Sequence, residues 1–160
     1  MRLTRRFLAL CVVGVLGGIS LGGCATFRGH DEERARHLLK LGASQLDAGD
    51  YPNALRTLIT AEQSNPDDPI IHNNLALAYF SRDRLDLAEK HLRKALSLKS
   101  DYTEARNNLG RILTERGKYA EAIQTLELAQ RDLTYSKPAR IYLNLGIAQF
   151  RAKQYEESRV

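Results

Sequence analysis

The chain has 160 residues, of which 43% are hydrophobic and 7% aromatic, and it has a formal net charge of +5. Three of its 24 basic residues, Arg2, Arg5 and Arg6, precede an apolar N-terminal stretch, so the part from Cys24 onward has 21 basic residues against 19 acidic ones. Its basic residues are interspersed with acidic ones, which argues against a nucleic-acid-binding surface. Roughly 137 residues are enough for one domain with its own core.

The N-terminus has the layout of a secretory signal, in which basic residues precede a short apolar run and a small-residue cleavage point. The run ends at Leu21-Gly22-Gly23-Cys24, which resembles a lipobox. This resemblance implies a signal peptide over residues 1–23 and acylation of Cys24, for example with palmitate. The alternative is an uncleaved membrane helix. It is less favoured because the run is short for a span of about 20 residues and contains three glycines.

We expect residues 24–34 to be a lipidated linker. If residues 25–34 were extended, they would reach about 35 Å and hold the following domain away from the bilayer. Ala25 directly after the cysteine is compatible with sorting to the outer membrane. The expected location is therefore the bacterial outer membrane, with a lipid anchor and the domain facing the periplasm.

Downstream of the linker the chain repeats itself at a nearly fixed period. A leucine followed by glycine or alanine recurs at steps of 34, 34 and 36, in Leu41-Gly42, Leu75-Ala76, Leu109-Gly110 and Leu145-Gly146. A second series of small residues follows at Ala54, Ala88, Ala122 and Ser158. Small residues allow two antiparallel helices to approach closely, and a 34-residue period is typical of helical repeat arrays.

This pattern resembles the tetratricopeptide repeat (TPR). The resemblance implies an all-α superhelix of antiparallel helix pairs with about three and a half repeats over residues 35–160. We place the repeats at 35–68, 69–102, 103–136 and 139–160. The last is truncated: after its first helix, a turn is expected at Lys153-Gln154-Tyr155, where the second helix has barely begun. Because an array needs a cap on its terminal apolar face, the chain is either a fragment or has that face covered by a partner.

Catalytic patterns are missing from the sequence. The four histidines, His30, His37, His72 and His91, have no metal-ligand spacing, and no nucleophile or glycine-rich phosphate loop stands in a recognisable context. We therefore expect a protein-binding module rather than an enzyme, with no catalytic residue, metal, cofactor, small-molecule substrate or nucleic-acid partner.

Asparagines dominate the fifth and sixth positions of the later repeats, on the helices expected to line the concave face. Their amides can pair with both the N–H and the C=O of an extended peptide. Alternatively, they only bond neighbouring helices. Asn108 and Arg140 match the chaperone-type carboxylate clamp of some TPR proteins, but Asn73, Leu77 and Asn144 do not, which argues against such a clamp here. The candidate groove residues are Asn73, Asn74, Asn107, Asn108, Arg140 and Asn144.

Three features together resemble the outer-membrane pilotin lipoproteins of type IV pili, the biogenesis and stability family often called PilF or PilW. They are the lipobox ahead of the array, the third repeat from Ala105 to Ala122, and the longer junction from Leu133 to Ala139. The resemblance implies a membrane-anchored scaffold that binds secretin subunits and assists their assembly into a ring. The alternative is a general envelope adaptor lipoprotein that recruits peptidoglycan enzymes or proteases.

Overall fold

The computed structural model describes residues 23–158, with side chains from residue 29 onward. Within this range all regular structure is helical, so the predicted all-α fold is confirmed. The elements are α1 (Gly23–Asp47), α2 (Tyr51–Ser64), α3 (Pro69–Phe80), α4 (Leu85–Leu98), α5 (Thr103–Glu115), α6 (Tyr119–Gln130) and α7 (Pro138–Glu157).

Local sequence signals begin two of these helices. The Asp50 side chain accepts a hydrogen bond from the backbone N–H of Asn53 at 3.4 Å, and Asp68 accepts one from Ile70 at 2.7 Å. Each aspartate satisfies backbone donors that have no partner within the helix. Pro69 follows Asp68 at the start of α3, where the amide hydrogen that proline lacks is not needed.

The turns inside the first three helix pairs each contain one residue with positive φ. These are Gly49 at 76°, Asp83 at 58° and Gly117 at 73°. Glycine adopts this left-handed conformation without steric cost, and aspartate tolerates it better than most residues. The turn positions predicted from the repeat spacing are therefore confirmed for these three pairs.

Small residues on the first helices allow close packing within the pairs. A Cβ added at Gly42 would lie 2.6 Å from Leu58 Cγ, and one added at Gly110 would lie 2.3 Å from Leu126 Cγ. Both leucines are fully buried. The glycines therefore fit the predicted close approach of α1 to α2 and of α5 to α6.

The first helices of successive repeats lie side by side. α1 contacts α3, α3 contacts α5, and α5 contacts α7, while each second helix packs against the first helix of the next repeat. Two apolar clusters fill the spaces between them: one around Leu58 and Leu75, the other around Leu92, Leu109 and Leu126. This arrangement places the wall of α1, α3, α5 and α7 on the face expected to bind a partner.

The turn expected at Lys153-Gln154-Tyr155 is wrong. α7 continues as one helix to Glu157. Lys153 stands where the other repeats have Gly49, Asp83 and Gly117, and a lysine pays a steric penalty at positive φ. Continuing the helix avoids that penalty.

The expected linker also differs from the structure, because residues 24–34 are helical and form the first part of α1. A charged stretch including Glu32, Glu33 and Arg34, followed by Ala35, has good helix formers. Ten helical residues span only about 15 Å, less than half the extended length. The signal peptide over residues 1–23 lies almost entirely outside the described residues, and acylation of Cys24 stays a prediction.

Candidate peptide-binding face

The predicted groove asparagines form pairs that join adjacent first helices. Asn108 Nδ2 on α5 donates to Asn73 Oδ1 on α3 at 2.9 Å. Asn144 Nδ2 on α7 donates to Asn107 Oδ1 on α5, also at 2.9 Å. The structure thus brings four of the six candidates together as bridges between repeats, which is the alternative left open by the sequence.

Burial separates the candidates into two groups. Asn73, Asn107 and Asn108 are buried, so their amides have little surface for a peptide. Asn74 and Asn144 are partly exposed and Arg140 is exposed; Asn74 Nδ2 donates to the carbonyl of Ile70 on its own helix at 2.9 Å. The partly exposed and exposed residues remain the candidates for direct contact, and the buried ones fix the helices that present them.

Arg111 is a residue of this face that the sequence analysis missed. Its guanidinium lies over the Phe80 ring, 4.3 Å from the ring centroid, and its Nε is buried without a hydrogen-bond partner among the described residues. Burial lowers the pKa of Arg111, the charge of Arg140 lowers it further, and Glu115 opposes both effects. Two mutually repelling guanidinium groups with spare donors favour an anionic ligand such as a carboxylate.

The contact between Arg111 and Phe80 could have been predicted by aligning the positions of successive repeats. Phe80 is the twelfth residue of the second repeat and Arg111 the ninth of the third. These two positions come into contact only because the first helices of successive repeats lie side by side. A motif within a single repeat therefore does not reveal the contact.

α7 carries an exposed apolar surface. Leu143 is 64% exposed and Phe150 is 63% exposed. With Tyr142, Ile147 and Arg151 they line a shallow groove of about 410 Å³ along the helix. Gly146 lies in the same groove, and a Cβ placed there would meet nothing within 4 Å, unlike Gly42 and Gly110. Among the described residues, no second helix covers this surface of α7, whereas α2 and α6 cover the corresponding surface in the first and third repeats.

A second feature missed by the sequence analysis is a histidine pair. The spacing of His72 and His91 predicted no metal site, because the two residues are 19 positions apart. The structure places their Nδ1 atoms 3.1 Å apart, across the α3–α4 pair. The repeat register could have indicated this, since the fourth residue of a repeat packs near its twenty-third.

Two tetratricopeptide-repeat family models match the chain, one over residues 39–103 and the other over residues 82–134. Together with the seven described helices, they show that the chain belongs to the tetratricopeptide-repeat proteins, a class of protein-interaction scaffolds. The expected fold family is confirmed.

Within this class the chain is similar to the type IV pilus assembly protein PilF of Pseudomonas aeruginosa. It is 31% identical to that protein over 148 residues, which cover 91% of this chain and 58% of the relative. A solved structure from the functional characterization of Pseudomonas aeruginosa PilF superposes with a TM-score of 0.72 at 30% identity, covering 78% of this chain and 56% of that one. The resemblance to the pilus family is confirmed, and the chain spans little more than half of these relatives.

Other TPR structures share the fold at lower identity. The first TPR of Spaghetti (RPAP3), bound to an HSP90 peptide, superposes with a TM-score of 0.68 at 24% identity, covering 76% of this chain and 95% of that one. In that structure a protein of this fold holds a peptide. Among the described residues of our chain, no helix combines the length and apolar character needed to cross a bilayer.

Proposed function

We propose that this chain is a membrane-anchored TPR scaffold that assists assembly of the outer-membrane secretin in type IV pilus biogenesis. The observation that carries the proposal is the similarity to PilF, which extends over 91% of the chain rather than over a single repeat.

The binding surface consists of the exposed part of the first-helix wall. Arg111 and Arg140 supply positive charge, and Leu143 and Phe150 on α7 supply apolar area. A segment of a secretin subunit with carboxylates beside apolar side chains would match both. Aromatic and arginine side chains of this kind contribute most of the binding energy in many interfaces.

The anchor is acylated Cys24. Each buried methylene contributes about 0.8 kcal/mol, so several acyl chains hold a protein at a membrane stably. In this proposal the lipid directs the scaffold to the outer membrane, and the face of α5 and α7 holds the secretin subunit during assembly.

The test is a blot for SDS-resistant secretin multimers in membranes of a strain lacking the gene. We expect the multimer to disappear while the monomer remains, and the intact gene to restore it. Cys24→Ser should fail to restore it and should accumulate as an unprocessed, unlipidated precursor. Normal multimers in the deletion strain would refute the role in secretin assembly and favour the general envelope adaptor.

A second set of variants tests the binding surface. Arg111→Ala with Arg140→Ala should weaken binding of the purified chain to secretin subunits and reduce multimer recovery, because both changes remove positive charge from one face. The matched control is Arg82→Ala, which changes an exposed arginine in the α3–α4 turn. Equal binding by the double variant and the control would exclude this face as the contact surface.

A further inference from the structure

Three side chains with metal-ligating atoms converge where the first repeat meets the second. Glu62 comes from α2, His72 from α3 and His91 from α4. His72 Nδ1 lies 3.1 Å from His91 Nδ1 and 3.5 Å from Glu62 Oε1, and His91 Nδ1 lies 3.9 Å from the same oxygen. The three ligating atoms therefore surround one small volume.

The orientation of His72 is fixed from its other side. Its Nε2 lies 2.8 Å from the backbone carbonyl oxygen of Pro66. A carbonyl can only accept, so Nε2 carries a hydrogen, and in the neutral ring Nδ1 presents its lone pair toward His91 and Glu62. Histidines that bind metals usually donate their second N–H to a carbonyl or carboxylate in this way. His91 is held as well, because its ring stacks on Tyr79 with centroids 5.3 Å apart.

The distances between the three ligating atoms fit a tetrahedrally coordinated metal ion. With zinc–nitrogen and zinc–oxygen distances near 2.0–2.1 Å, neighbouring ligands of a tetrahedral site lie about 3.4 Å apart. The observed distances of 3.1, 3.5 and 3.9 Å lie on both sides of that value. Small rotations of the Glu62 side chain, which is 31% exposed, would bring its oxygen closer to both imidazoles and shorten the 3.5 and 3.9 Å distances.

The repeat fold does not require these residues. One repeat later, at positions shifted by 34, the same three sites hold Leu96, Arg106 and Thr125. Packing between repeats is thus achieved without imidazole or carboxylate groups. A buried His72 facing a second imidazole and a carboxylate calls for an explanation other than packing.

We propose that Glu62, His72 and His91 bind one divalent transition-metal ion, with Zn²⁺ as the preferred ion, at the junction of the first two repeats. Two imidazoles and one carboxylate are borderline ligands that suit zinc, and they leave the fourth position for water. The bound ion would link α2 to the α3–α4 pair. This site shares no residue with the face of Arg111 and Arg140, so it does not depend on the proposed function.

The electrostatics of His91 are consistent with ligation, which requires a neutral imidazole. Burial lowers the pKa of His91; the Glu62 carboxylate opposes this shift, while His72 and Lys90 add to it.

The first experiment titrates the metal-stripped chain with Zn²⁺ in competition with a chromophoric chelator. We expect about one ion per chain. Glu62→Gln and His91→Asn should each weaken binding by about 100-fold or more, since loss of an outer-shell partner alone costs about 10–100-fold. The control is His37→Asn, which removes an exposed imidazole on α1. Equal zinc affinity in wild type and His91→Asn, or no binding by wild type, would overturn the proposal.

A second measurement guards against misfolded variants. Zn²⁺ should raise the thermal midpoint of wild type and of His37→Asn, because an ion that binds only the folded state stabilises it. Glu62→Gln changes a partly exposed residue, so without metal its midpoint should match that of wild type. If Zn²⁺ raised the midpoint of Glu62→Gln as much as that of wild type, the stabilising ion would bind without Glu62, and the proposed three-ligand site would be refuted.

Discussion

At the residue scale, the buried asparagines act as hydrogen-bonded bridges between repeats. Asn107 is 1% exposed and accepts from Asn144 at 2.9 Å. Asn107→Ala removes this acceptor and leaves a donor without its partner. We expect the free energy of unfolding to fall by about 1–3 kcal/mol, measured by urea denaturation.

The matched control for Asn107→Ala is Asn74→Ala. Asn74 is partly exposed and bonds only within its own helix, so the change should stay within about 0.5 kcal/mol. Similar losses for both variants would contradict the division between bridging and surface asparagines. The buried asparagines would then contribute no more to stability than a surface residue does.

At the element scale, close helix packing depends on glycine at some repeats and not at others. Gly110→Ala would place a Cβ 2.3 Å from Leu126 Cγ, and the buried leucine has little room to move. We expect a loss of about 1–3 kcal/mol in unfolding free energy from overpacking. Gly146→Ala meets nothing within 4 Å and gains helix propensity, so stability should rise by up to about 1 kcal/mol.

Denaturation of both glycine variants by urea, followed by circular dichroism, measures this contrast. A loss at Gly146 equal to that at Gly110 would mean that the open face of α7 is covered in solution. The comparison therefore reports on packing within the third repeat and on the exposure of the fourth.

Helices and turns could be predicted from the sequence where residues within a single helix pair determine them. The recurrence of Gly42 and Gly110, and the turn glycines at Gly49 and Gly117, have a physical reason within one helix pair, and the pairs form as expected. Spacing indicated a turn at Lys153, but the chain stays helical there; spacing alone could not predict this, because it ignores the cost of lysine at positive φ.

Contacts between repeats were less accessible to sequence reasoning. The Asn108–Asn73 bond joins residues 35 positions apart, and the Arg111–Phe80 stacking also crosses from α5 to α3. Each depends on how one helix lies against another, which residue types within a single repeat do not reveal. His72 and His91 lie within one repeat, but their convergence likewise depends on how α3 lies against α4.

At the scale of the whole molecule, a buried carboxylate joins the second repeat to the third. Glu89 on α4 is 6% exposed and contacts Arg93 at 2.7 Å, Arg116 at 2.5 Å and Lys118 at 3.0 Å. Arg93 belongs to its own helix, while the other two lie in the turn between α5 and α6. Stability of a repeat array depends on such interfaces between neighbours as well as on each repeat.

This cluster predicts a specific loss of stability in acid. Burial would raise the pKa of Glu89, but hydrogen bonds from Arg93 and Lys118 and the charge of Arg116 outweigh it and lower the pKa below the ordinary 4.5. Because the pKa of Glu89 is lower in the folded state than in the unfolded state, its carboxylate stabilises the fold at pH values above the unfolded-state pKa. This contribution disappears as the pH falls through the folded-state pKa.

Glu89→Gln should lower the free energy of unfolding by about 1–3 kcal/mol near neutral pH. The loss is smaller than for a fully buried ion pair, because the cations are partly exposed. Urea denaturation at a series of pH values should show the difference from wild type shrinking below pH 4.5, whereas Glu127→Gln, at an exposed site, should track wild type throughout. A difference that stays constant with pH would mean that Glu89 stabilises the array through packing rather than through its charge.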